Sequence, residues 1–251
     1  MKKFASFFAV FLFITLFAVA SEAGDRNIPV EVAQLTDSLK KQFAPDRRVA
    51  LLDVDYSFSD KNVMLRGVTT SAEAKNALLK ELARKGYAVM DCLELLPDVK
   101  GLEGKTCGII NVSVANMRVA PDFSSEMMTQ SLMGMPVRVL QRDGWVRIQT
   151  PDNYIAWVHR VGVHPVTEEE MAAWNKAEKI VVTAHYGFVY SEPNQTSQTV
   201  SDVVAGNRLK WEGSKGAFYK VTYPDGRRGY ISKSIACLLY TSDAADELDG
   251  V

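Results

Sequence analysis

Three cysteines, three histidines and a group of acids are the side chains best suited to chemistry here, and their spacing decides which chemistry is open. Cys92, Cys107 and Cys237 form no CxxC pair, and with so few histidines a structural zinc site is not expected. Cys237 sits in Ala-Cys-Leu-Leu with no histidine after it to activate a thiolate, so it is no candidate nucleophile. Cys92 and Cys107 lie 15 residues apart across a glycine-containing loop. In an oxidising compartment they form a disulfide or stay two half-buried thiols, and both readings are open. His159, His164 and His185 are scattered and read as surface or edge histidines. Asp53 and Asp55, near Asp60, fall on one face of a strand by period-2 spacing, which reads as a solvated face rather than a metal site. Arg227-Arg228 reads as a charged hairpin. No catalytic constellation, metal or cofactor is implied.

The elements that must carry these groups fall into two regions. From Glu31 to Phe43, apolar residues at Val32, Leu35, Leu39 and Phe43 have helical spacing, and Pro45-Asp46 ends the run. Val49–Phe58 and Asn62–Val68 are β-rich and joined by a hairpin signal, Ser-Asp-Lys-Asn. Thr70 or Ser71 caps a second helix that Gly86 closes. Tyr87–Leu96 is a last strand, broken by Pro97-Asp98. The order is α-β-β-α-β.

The second region is a repeat. Gly134–Val158 recurs as Gly206–Ile231: Pro121/Pro193 and Gly134/Gly206 are 72 residues apart. Pro151/Pro224, Asp152/Asp225, Ala156/Gly229 and Trp157/Tyr230 are 73 apart, so a single insertion separates the two groups. Short runs at Ile110–Val114, Met135–Leu140, Trp145–Thr150 and Ile155–Val158, with turns at Asn116-Met117-Arg118, Asp143-Gly144 and Pro151-Asp152-Asn153, predict a small β-barrel. Alternation places Trp145 and Trp157 in its core. Thr167–Glu170 is a capping box opening a short helix that packs on a barrel through Trp174. The predicted fold is mainly β with an α+β N-terminal module, followed by two tandem small β-barrels joined by a short helix.

The segments Asn116-Met117-Arg118-x-x-Pro121, Gly134-x-x-Val137-x-Val139, Trp145-Val146-x-Ile148 and Tyr154-Ile155-Ala156-Trp157-Val158 resemble the pattern of bacterial SH3-like (SH3b) domains. The second copy answers with Val189-Tyr190-x-x-Pro193, Gly206-x-x-Leu209, Phe218-Tyr219-x-Val221 and Gly229-Tyr230-Ile231, and lacks the Asn-x-Arg turn. The α-β-β-α-β order resembles the BON-like domains of bacterial envelope proteins. Residues 24–236 together resemble the N-terminal half of NlpC-type cell-wall cysteine peptidases, the dipeptidyl-peptidase 6 or γ-D-glutamyl-L-diamino acid endopeptidases. The resemblance implies SH3-like barrels preceding a papain-like domain that cleaves peptidoglycan stem peptides after D-glutamate. That domain's Asp-Cys-Ser-Gly motif does not occur in this sequence. The resemblance also implies a role for Tyr154 at the active-site cleft. Its hydroxyl would accept from the ammonium of the substrate's free N-terminal L-alanine. Glu126, in the loop before Met127, reads as a carboxylate partner for that ammonium or as a solvated loop acid.

The net charge of −1 supplies no field for nucleic acid or anionic membrane. Lys2-Lys3, an apolar run and small residues at Ala18–Ala20 and Ser21–Ala23 read as a secretory signal, the alternative being a retained anchor. The expected divisions are a signal peptide (1–23), an α+β module (24–100), a first SH3b barrel (108–164), a helical linker (165–178) and a second barrel (179–236). Cys237–Val251 is expected to be foreign, because codons for Cys237–Glu247 resemble a transposase-type sequencing adapter. A periplasmic or secreted monomer is expected, with peptidoglycan stem peptides or cell wall as partner, no nucleic acid, and no membrane after signal cleavage. Two functions fit: the non-catalytic part of a peptidase, or a complete envelope protein that binds cell wall.

Overall fold

Val32 and Leu39 lie one above the other on α1 (Val30–Phe43) and enter the first core, with Leu35 and Phe43 packed at its margin. The computed structural model describes residues 29–239, so the signal-peptide reading and residues 240–251 lie outside the described residues. Strands β1 (Leu52–Ser59) and β2 (Asn62–Thr69) form an antiparallel hairpin turned at Asp60, whose φ is 53°. A parallel third strand needs a crossover, which α2 (Ala72–Arg84) supplies before β3 (Ala88–Leu95) pairs with β2. Ser71 caps α2, its Oγ accepting from the Ala74 N–H at 3.0 Å. Ala74, Leu78 and Leu82 form the buried face of that helix.

The next seven strands are β4 (Cys107–Ile110), β5 (Val114–Arg118), β6 (Met127–Leu132), β7 (Pro136–Asp143), β8 (Trp145–Gln149), β9 (Ile155–His159) and β10 (Val163–Val166). They are ordered β10-β4-β7-β8-β9-β5-β6. The sheet wraps a core of residues such as Ile110, Met117, Val139, Val146 and Ile148, but its ladder stays open at β10 and β6 instead of closing into the expected barrel. Two local expectations also change. Ile110–Val114 is not one strand, because the chain turns at Asn111–Ser113. Asn116–Arg118 is the end of β5 rather than a turn.

Helix α3 (Glu168–Lys176) opens with both hydrogen bonds of the Thr167/Glu170 capping box. Trp174 seats it on the first sheet, its indole Nε1 donating to the Gly134 carbonyl at 3.2 Å. The second sheet comprises β11 (Lys179–Val182), β12 (Tyr186–Tyr190), β13 (Thr199–Val204), β14 (Arg208–Lys215), β15 (Phe218–Thr222), β16 (Arg228–Ser232) and β17 (Ala236–Leu239). Read from β17, its order β17-β11-β14-β15-β16-β12-β13 repeats the first sheet strand for strand. Even the irregularities recur: the register shift between Val139 and Gln141 returns between Trp211 and Gly213. Cys237–Leu239, expected to be foreign to the protein, pair with β11 in the place that β10 holds in the first copy. An unpaired strand edge accepts an extended apolar segment whatever its origin.

Two seams join the three units. Leu51 and Leu96 of the α+β module meet Leu140 and Ile155 of the first sheet in one buried cluster, at roughly 1.5–3 kcal/mol per side chain. The bulge at Leu140 makes this possible, since Val139 and Leu140 are both buried, one in the sheet's own core and one in the seam. Backbone bonds from Ile155 N–H to the Arg48 carbonyl (2.6 Å) and from Asp98 N–H to the Leu140 carbonyl (2.9 Å) fix the register. At the other seam Met133 enters the core of the second sheet and its carbonyl accepts from the Arg208 N–H at 2.9 Å.

Candidate functional site

In β8 the residues Val146 and Ile148 point into the core, so Trp145, Arg147 and Gln149 face outward. In β9 the core takes Ala156 and Val158, which turns Ile155, Trp157 and His159 to the same outer face. Pairing then forms rows: Trp145 opposite His159, Arg147 opposite Trp157, Gln149 opposite Ile155. On the far side of Trp157 stands Arg118 of β5. Trp157 is therefore flanked by two arginines. It is buried, as expected, but under side chains of the outer face and not in the sheet's core. Trp145, expected inside, is half-buried on that outer face.

The loop between β5 and β6 folds back over the face. Phe123, 67% exposed, places its ring 4.8 Å from Trp145 and 5.1 Å from His159, while those two meet edge to face at 5.3 Å. Asp122 braces the loop by accepting from the Ser124 N–H (2.7 Å) and hydroxyl (2.8 Å), bonds that hold its carboxyl below the usual range. Arg118 donates from Nη1 to the Ser125 carbonyl. Asn116, Arg118, Phe123, Trp145, His159 and Val161 line a groove of about 190 Å³.

Toward the α+β module the face becomes cationic. The Arg147 guanidinium stacks 4.9 Å from the Trp157 ring centre and is held below its usual pKa by desolvation, with Asp53 opposing that shift and Arg47 adding to it. Arg48 lies 5.9 Å from the centre of the Tyr154 ring and is gripped by Asp46, Nε to Oδ1 at 2.9 Å and Nη2 to Oδ2 at 2.7 Å. Those bonds lower the Asp46 carboxyl to about 2.

Tyr154 is half-buried at the Gln149/Ile155 end of the β8–β9 hairpin, its N–H donating to Thr150 Oγ1 at 3.1 Å. Glu126 is exposed in the Phe123 loop, and its backbone carbonyl accepts from the Val119 N–H at 3.1 Å. Among the described residues no hydrogen bond joins Tyr154 and Glu126. What the structure assembles instead is Arg118, Phe123, Trp145, Arg147, Trp157 and His159, of which Arg118, Phe123 and Arg147 carry no sequence expectation of a role. The available signal was the alternation Trp145-Val146-Arg147-Ile148, which puts tryptophan and arginine on one face.

The second sheet repeats the theme with weaker chemistry. Lys220 stands opposite Tyr230 and Tyr230 opposite Tyr190, where the first sheet has Arg147, Trp157 and Arg118. All three cysteines are free thiols, and burial pushes that of Cys107 up. Among the described residues no group of His, Cys, Asp or Glu is arranged to hold a metal. No helix among them is long and apolar enough to cross a membrane.

Comparison with known families matches residues 117–161 to the bacterial dipeptidyl-peptidase Sh3 domain and residues 185–235 to the bacterial SH3 domain. Both sheets therefore contain a bacterial SH3-like domain, the first similar to the dipeptidyl-peptidase type. Among solved structures, an NlpC/P60 family protein from Bacillus cereus is 19% identical with TM-score 0.46, over 54% of this chain and 57% of that one. An NlpC/P60 endopeptidase from Photobacterium damselae subsp. piscicida is 12% identical with TM-score 0.40, over 87% and 49%. NlpC2 from Trichomonas vaginalis is 16% identical with TM-score 0.22, over 54% and 48%. The chain spans about half the length of these structures. No curated protein matches it.

Proposed function

We propose that this chain is the non-catalytic N-terminal part of an exported cysteine endopeptidase of peptidoglycan stem peptides, its SH3b domains shaping substrate access and holding cell wall. The observation that carries the reading is the dipeptidyl-peptidase-type match over 117–161, because the whole arginine–aromatic face lies within it. The secretory signal read in residues 1–23 supports an envelope location. The reaction belongs to a catalytic domain outside this sequence: thiolate attack on the amide between γ-D-glutamate and the diamino acid. The six side chains of the face bind and orient; none of them reacts. Tyr154 and Glu126 stand in this proposal as substrate contacts at the rim. Arg48 beside Tyr154 works against an ammonium there, which leaves that charge to Glu126.

A second reading is a non-catalytic envelope protein binding the wall through both SH3b domains. The recurrence of a cation beside an aromatic row in the second sheet favours it.

Two measurements test these readings. The chain from Gly24 onward should co-sediment with purified peptidoglycan; failure to do so would remove wall binding from both. Reading uncut source DNA past the codon for Ala236 separates them, since an Asp-Cys-Ser-Gly-encoding extension supports the peptidase and an immediate stop codon rules it out.

A further inference from the structure

Arg147 is under-partnered for its burial. Its side chain is 15% exposed, yet among the described residues its polar neighbour is a single Asp53 oxygen at 3.9 Å, beyond hydrogen-bond distance. A guanidinium carries five donors, and those of Arg147 are left to water along its exposed edge. The stack on Trp157 holds the guanidinium in place without using any of them. Asp53 is 47% exposed and belongs to β1 of the neighbouring module, so water competes for it and it is free to swing away. Arg47 and Arg48 add positive charge to the same seam, and the Asp46 carboxylate is committed to Arg48.

We propose that Arg147 is the anion-binding group of a carboxylate site in the seam between the first SH3 domain and the α+β module, occupied by Asp53 in the resting chain and taken over by a peptide carboxylate. The group already facing Arg147 is a carboxylate, which identifies the ligand chemistry. The planar fork of arginine matches a carboxylate through two parallel bonds, which the 3.9 Å approach of Asp53 leaves unmade. The exposed edge of Arg147 admits a ligand, and Trp157 keeps the fork oriented before one arrives. The proposal rests on the stem-peptide reading and sharpens it: the peptides such a site takes carry free carboxylates, and amidated peptides are discriminated against.

The test is a titration of the chain from Gly24 onward with the tripeptide L-Ala-γ-D-Glu-diaminopimelate and with its carboxamidated form, followed calorimetrically. The acid should bind about tenfold tighter or more than the amide. Arg147→Gln should abolish that preference, and Arg147→Lys, which keeps the charge without the fork, should retain part of it. Asp53→Asn should raise affinity for the acid several-fold by removing the internal occupant. Equal binding of acid and amide, an unchanged preference in Arg147→Gln, or weaker binding in Asp53→Asn overturns the proposal. Co-sedimentation with peptidoglycan that persists without acid-over-amide preference removes the carboxylate site alone; loss of both removes the wall-binding reading as well.

Discussion

A β-carbon placed on Gly134 would stand 2.2 Å from the carbonyl oxygen of Arg208, so the two SH3 domains meet through a residue that has no room for a side chain. Gly134 also has a φ of +84°, where an L-residue costs about 1 kcal/mol before any clash. Its own carbonyl is the acceptor for Trp174, which ties the linker helix to the same point. Gly134→Ala should therefore cost roughly 2–4 kcal/mol in urea unfolding. Gly144→Ala is the control: φ is +66° and nothing lies within 4 Å, so about 1 kcal/mol is expected. Equal losses in the two variants would show that the seam contributes nothing beyond backbone strain.

Tyr223 supplies a pH signature in the second domain. It is 1% exposed, its hydroxyl pairs with Ser201 Oγ at 2.7 Å, and burial pushes its pKa up to about 12. A folded-state pKa above the unfolded value near 10 means that the stabilisation is whole below pH 10 and is lost as pH rises toward 12. The loss should be about 2–3 kcal/mol in the unfolding free energy from urea titrations across that window. Tyr223→Phe should remove it. Absorbance near 295 nm should show one tyrosine titrating last.

Much of this architecture is legible in the sequence where the signal is periodic or repeated. Ser71 and Thr167 announce their helices, and the 72-residue offset of Gly134 and Gly206 announces two copies of one sheet. The β9 half of the outer face is not legible, because Ile155-Ala156-Trp157-Val158 is apolar throughout and its parity cannot be read. Only cross-strand pairing to Arg118 and Arg147 shows that small Ala156 faces the core and large Trp157 the outside. Strand β6 escapes for the opposite reason: it is an edge whose one buried residue is Ser131, so it has no hydrophobic alternation. The turn at Asn111–Ser113 depends on partners far along the chain, Asp225 for Asn111 Nδ2 and Asp202 for Ser113 Oγ. Local propensity carries no information about such contacts.

Phe123→Ala should separate binding from folding. The ring is 67% exposed, so unfolding free energy should change by about 1 kcal/mol or less. The same change opens the groove beside Trp145 and His159, and retention on purified peptidoglycan should fall. A variant that unfolds much more easily while still binding would make the loop a structural cover and not a contact.

Arg48 decides whether Tyr154 can receive an ammonium. Its guanidinium lies 5.9 Å from the centre of the Tyr154 ring, and a second cation arriving at the hydroxyl meets like charge at short range. Solvent exposure of Arg48 and its pairing with Asp46 screen that repulsion, so the effect on affinity is modest. If Tyr154 takes the N-terminal ammonium of a stem peptide, Arg48→Ala should tighten binding of the free-amino peptide several-fold and leave its N-acetylated form unaffected. If the ammonium goes to Glu126 instead, Arg48→Ala should be neutral, and Glu126→Gln should remove the advantage of the free amine over the acetylated peptide. Calorimetry with the two peptides against Arg48→Ala, Glu126→Gln and Tyr154→Ala gives six numbers. A free-amine advantage that survives both Tyr154→Ala and Glu126→Gln would exclude both residues as the recognition group.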